Sequence, residues 1–138
     1  MNKLCTDFSQ SKRLIELGID VDTADSVVTL IPMSDGSDFV FVRNRNRWDT
    51  FSSIIDKRDN IPAWSLTALL ELIPPYLGEY SEGIDFGFGK AMNGKWYSAH
   101  YIQLDNSGLA TFSKTVTGDT SVDAAFAMVC WLKETGKI

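Results

Sequence analysis

His100 is the single histidine of this 138-residue chain, and it stands in an aromatic run, Trp96-Tyr97-Ser98-Ala99-His100-Tyr101. Histidine is the side chain whose ordinary pKa best suits proton transfer near neutrality. Strand alternation places His100 with Trp96, Ser98 and Ile102, and puts Tyr97 and Tyr101 on the opposite face. A general base also needs a nucleophile, here Cys5, Cys130 or a serine brought from elsewhere in the chain. One histidine cannot build a His-rich metal site, and no Asp/Glu pair stands at a ligand spacing around it. Tyr97, His100 and Tyr101 are therefore one candidate pocket, weighed against a structural or merely exposed histidine.

The second candidate is cationic. Arg43, Arg45 and Arg47 alternate with Asn44 and Asn46 and run into Trp48, with Lys57-Arg58 close behind. An extended backbone would point the three guanidinium groups to one side, about 6–7 Å apart, near the spacing of successive phosphates. Trp48 adds a surface on which a base could stack. The plainer reading is a solvated edge strand, where charge discourages edge-to-edge pairing. Asp49, Asp56 and Asp59 dilute the patch.

Other motifs fail on inspection. Gly83-Ile-Asp-Phe-Gly87-Phe-Gly89-Lys90-Ala91 superficially resembles a phosphate loop. It lacks the required glycine spacing and the Ser or Thr after Lys, and it leads into a strand instead of a helix. Phe86 and Phe88 would share one strand face, with Gly87 and Gly89 leaving the other bare for a bulge or a helix. Asp20, Asp22 and Asp25 lack the glycine and distal glutamate of an EF-hand, so they read as a polar turn. No cofactor or metal is expected.

Composition narrows the partners. Thirteen Lys and Arg against eighteen Asp and Glu give a net charge of −5. That argues against a protein whose whole surface follows nucleic acid or anionic lipid. Cys5 and Cys130, at opposite ends of the chain, are expected as reduced thiols. The first residues lack the apolar core of a signal peptide, and no apolar run approaches the ~20 residues needed to cross a bilayer. A cytoplasmic location and a single compact domain over residues 1–138 are the expectations.

The elements that must position these residues follow from period and caps. A first helix starts after Thr6 or Asp7, carries Phe8, Leu14, Ile15 and Leu17, and stops at Gly18. A second starts at Ser65, carries Leu66, Leu69, Leu70 and Ile73, and ends at Pro74-Pro75. A third, capped by Thr120 or Ser121, bears Val122, Ala125, Phe126, Val129 and Leu132, with Lys133 and Lys137 near its end. Trp64 and Trp131 are placed on helices, as packing residues. Ser26 to Ile31 and Phe39 to Arg43 form a hairpin around Met33–Asp38. Ile84–Met92, Lys95–Leu104 and Leu109–Val116 form a three-stranded meander, with turns at Asn93-Gly94 and Asp105–Gly108. The order α-β-β-α-β-β-β-α predicts an α+β fold, an antiparallel sheet (hairpin plus three-stranded meander) packed on one face by about three helices.

Three blocks then look familiar together. They are Gln10-Ser-Lys-Arg-Leu-Ile-Glu-Leu-Gly18 with Thr23-Ala-Asp25, Ile61-Pro-Ala-Trp-Ser-Leu-Thr-Ala-Leu-Leu-Glu-Leu-Ile-Pro74, and Val122-Asp-Ala-Ala with Trp131-Leu-Lys-Glu-Thr-Gly136. In that order they resemble a group of small uncharacterised proteins of Bacteroides-type gut bacteria and their phages or mobile elements. The resemblance implies a cytoplasmic bacterial or phage origin and one compact domain. It supplies no catalytic residue.

The expectation drawn from the chain is an accessory or binding protein that acts through protein–protein contact or self-association. The alternatives are weak nucleic-acid or anion binding through Arg43, Arg45, Arg47 and Trp48, and an enzyme with a pocket near His100.

Overall fold

The computed structural model of the chain describes residues 3–45, 60–77, 84–90, 94–104 and 107–138. Two compact units emerge, Leu4–Ala68 and Leu69–Ile138 with Lys3. The class is α+β, and every strand pairing among the described residues is antiparallel.

In the first unit, helix α1 (Phe8–Glu16) begins at Asp7. The Asp7 carboxylate accepts from the Gln10 N–H at 2.8 Å, and the Gln10 side chain accepts from the Asp7 N–H at 3.2 Å. This reciprocal box satisfies two N–H groups that the helix itself cannot. Thr6, the other candidate cap, is instead buried; its hydroxyl accepts from the Trp64 N–H at 3.0 Å and shares a hydrogen bond with Ser11. Gly18 ends the helix at φ +86°, a conformation that costs glycine nothing. A 3₁₀ turn, Val21–Thr23, follows.

Strands β1 (Ser26–Pro32), β2 (Asp38–Asn44) and β3 (Asn60–Ala63) form a sheet in the order β2-β1-β3. The Met33 N–H donates to the Ser37 carbonyl at 2.8 Å and closes the hairpin. Asp35 accepts from the Ser37 N–H and hydroxyl, and these bonds lower its pKa. Cys5, Val28, Ile61 and Ala63 form one buried cluster of the core, with Phe8, Ile15 and Val42 packed against it. Trp64 lies beyond β3 and outside any helix; it is fully buried, and its indole N–H donates to Thr23 Oγ1 at 2.9 Å.

Helix α2 (Leu66–Leu72) starts beyond Ser65, whose hydroxyl accepts from the Ala68 N–H at 3.2 Å. Strands β4 (Tyr76–Leu77), β5 (Ile84–Lys90), β6 (Tyr97–Leu104) and β7 (Ala110–Gly118) make the second sheet in sequence order. The hairpin and the meander expected from the pattern thus lie in separate sheets, each extended by one short strand. Helix α3 (Ser121–Glu134), capped by Thr120, packs on β6 and β7, and its buried residues are Val122, Ala124, Ala125, Met128, Val129 and Leu132. A Cβ on Gly118 would lie 2.5 Å from the Ala124 backbone nitrogen, so glycine allows β7 to approach the helix this closely. Of the two cysteines, Cys5 is buried and Cys130 half-buried.

Candidate functional site

The first sheet carries an unusual edge. β2 lies outermost in its order, and no strand pairs with its outer side among the described residues. Phe39, Val40 and Phe41 are 53%, 55% and 48% exposed. Successive side chains of a strand point to opposite faces, so both faces of β2 are open here. Ile31 and Met33, across the hairpin, extend the exposed apolar surface.

The backbone of that edge is equally available. The Met33–Ser37 bond at one end and the Arg45 N–H to Asp25 carbonyl bond (2.9 Å) at the other fix the phase of the β1–β2 ladder. In an antiparallel pair, bonded and non-bonded partners alternate. Phe39, Phe41 and Arg43 therefore bond to β1, whereas Asp38, Val40, Val42 and Asn44 direct N–H and C=O outward.

A cleft of about 390 Å³ adjoins the far end of this strand, lined by Leu4, Asp25, Ser26, Val42, Arg43, Asn44 and Ser65. Asp25 organises its floor. Its carboxylate accepts from the Ser65 N–H at 2.9 Å, from the Ser26 hydroxyl at 3.2 Å and from the Ser65 hydroxyl. Asp25 thereby holds the start of α2 beside β1, and its carboxylate is engaged structurally.

Among the described residues, Arg43 and Arg45 turn to separate partners. The Arg45 guanidinium turns back on its own unit, donating to the Val21 carbonyl at 2.7 Å, the Ala24 carbonyl at 3.3 Å and Asp22 Oδ1 at 3.1 Å. Only 12% of its side chain is exposed. Arg43 is half-buried on the cleft wall, and its guanidinium donates to the Asn44 carbonyl at 3.4 Å. Arg47 and Trp48 lie outside the described residues.

The aromatic strand divides as alternation requires. On the α3 side, Tyr101 is buried, meets Phe86 edge-on at 5.5 Å and Trp131 at 6.4 Å, and donates its hydroxyl to the Pro74 carbonyl at 2.8 Å. Burial pushes its phenol up to about 12. Tyr97 stacks on Phe88 at 6.2 Å. His100 takes the other face, with Nδ1 3.4 Å from Ser98 Oγ, and burial lowers its pKa. Its ring lies over Gly87: a Cβ there would be 2.5 Å from Nε2. The bare glycine face is thus filled by a histidine from the paired strand instead of a helix. β6 stands between His100 and the two tyrosines, so the three residues do not share one pocket.

Among the described residues no group of three His, Cys, Asp or Glu could hold a metal ion. None of the described helices is long and apolar enough to cross a membrane.

Pattern reasoning missed the edge itself. Phe39-Val40-Phe41-Val42 is an unbroken apolar run. A strand with one solvated face alternates, so four apolar residues in succession beside an Asp-Gly loop signal two faces suited to cover.

These features define a small α+β protein with two antiparallel sheets, one of which ends in an open apolar strand. Compared with known protein families, with curated proteins and with solved structures, the chain matches none of them.

Proposed function

We propose that this chain is a non-enzymatic binding protein that acts by strand addition at β2, accepting an extended segment of a protein partner or of another copy of itself. The observation that carries the reading is the coincidence, on one strand, of exposed Phe39, Val40 and Phe41 with outward backbone groups. In strand addition, main-chain hydrogen bonds supply affinity, and alternate side chains supply selectivity. An edge of this kind invites pairing unless charge, proline or a bulge blunts it. Here the only charged residues of the strand are Asp38 and Arg43, near its two ends. The setting we propose, from the three sequence blocks alone, is the cytoplasm of a Bacteroides-type bacterium, with a phage or mobile element as the other source. The anion-binding alternative rests on Arg43 alone among the described residues, because Arg45 is committed to the 3₁₀ turn.

The test is an NMR titration of the full chain with a soluble, Val- and Thr-rich extended peptide. The amides of Asp38, Val40, Val42 and Asn44 should shift most. Val40→Pro removes one outward N–H while leaving the β1 ladder intact, a placement proline tolerates. It should abolish the shifts while the circular dichroism spectrum is retained. Unshifted edge amides, or equal binding by the proline variant, would overturn the reading.

A further inference from the structure

We propose that the occupant of the β2 edge is a second copy of this chain, docked antiparallel about a two-fold axis at Phe41. The inference rests on the strand-addition reading and deepens it by naming the partner.

Symmetry restricts the pairing. A two-fold axis perpendicular to the sheet leaves each side chain on its own face, so even-numbered residues meet even and odd meet odd. The outward backbone groups belong to the even positions Asp38, Val40, Val42 and Asn44. Centring the axis on Phe41 sets Asp38 opposite Asn44 and Val40 opposite Val42, so every outward group finds a partner, the Asn44 carbonyl accepting from Asp38 of the second copy beside its long 3.4 Å bond from Arg43. It uses all seven residues of the strand, Asp38–Asn44. Moving the centre to Val40 or Val42 leaves part of each strand unpaired.

The side chains agree with this register. Phe41 meets Phe41 at a non-hydrogen-bonded position, where facing side chains come closest. Phe39 faces Arg43, and Asp38 faces the neutral Asn44. No like charges are opposed. The strand carries one acid and one base, so it has no bias toward a strongly acidic or basic peptide, and its own reversed copy fits it. Seven residues per copy falls short of the roughly 20–30 of a standard interface, so the dimer should dissociate on dilution.

The test combines mass and cross-linking on the full chain. In sedimentation equilibrium the wild type should rise from one chain to two across a concentration series, while Val40→Pro stays at one. In a Cys130→Ser background, Phe41→Cys should form an intermolecular disulfide on mild oxidation, since facing Cβ atoms at such a pair are about 4.5–5.5 Å apart. Phe39→Cys, which faces Arg43, should cross-link at least tenfold more slowly. A wild type that stays monomeric, or a Phe39→Cys that links as fast as Phe41→Cys, would overturn the proposal. If the chain is monomeric yet still binds the Val- and Thr-rich peptide, the second copy fails as occupant and strand addition stands. If both are absent, both fail.

Discussion

Replacing Arg45 with alanine separates a structural arginine from an anion-binding one. The guanidinium makes a 2.7 Å bond to the Val21 carbonyl, a longer 3.3 Å bond to the Ala24 carbonyl, and a 3.1 Å contact with Asp22. A hydrogen bond from a charged donor contributes about 1.5–3 kcal/mol. The Asp22 side chain is 77% exposed, so that ion pair adds at most about 1 kcal/mol. The Val21 carbonyl also accepts from the Ala24 N–H, which limits the damage when the arginine is removed. Arg45→Ala should therefore destabilise the protein by about 2–4 kcal/mol. Asp22→Asn should cost less than about 1 kcal/mol. The assay is urea unfolding followed by circular dichroism, with an unchanged m-value marking a change in stability alone. If Arg45→Ala costs no more than Asp22→Asn and instead weakens binding to a polyanion, Arg45 is a surface contact and the clamp is refuted.

Two further outcomes test the second sheet. Gly87→Ala places a Cβ 2.5 Å from His100 Nε2 and should cost about 1–3 kcal/mol. In a His100→Ala background the same change should cost much less, so an equal cost in both backgrounds would contradict the packing. Tyr101→Phe removes the hydroxyl donated to the Pro74 carbonyl and should cost about 1–2 kcal/mol. The Tyr101 phenol titrates near 12 in the fold against an ordinary 10.0, so folded protein holds its proton where unfolded chain releases it. Wild-type stability should thus fall as pH rises from 10 to 12. Unfolding measured across that range should show a shallower fall for Tyr101→Phe, and an identical fall would discount the buried phenol.

Local chemistry was legible in the sequence because it is written over a few residues. Ser65 and Thr120 mark helix starts, Gly18 a helix stop, and the Met33–Asp38 loop a hairpin. Elements fixed by distant partners were not. β3 is four residues long and contains Pro62, so it carries no strand pattern; it exists because β1 pairs with it, and its edge position tolerates the proline. Asp25 reads as a turn residue, yet its carboxylate holds Ser65, forty residues later in the chain. Arg45 reads as one of an alternating cationic row, but the carbonyls that capture it lie in the turn after α1. The open edge was written in Phe39-Val40-Phe41-Val42, and its meaning depended on knowing which side of β1 that strand takes.

Amide hydrogen exchange along β2 is the most direct measurement of that edge. In dilute protein the Phe41 amide, bonded to β1, should be protected, while the Val40 and Val42 amides exchange near the unprotected rate. At high protein concentration Val40 and Val42 should gain protection together. Protection of both in the dilute monomer would show the edge to be covered already. Rapid exchange that persists at every concentration and with added Val- and Thr-rich peptide would contradict strand addition.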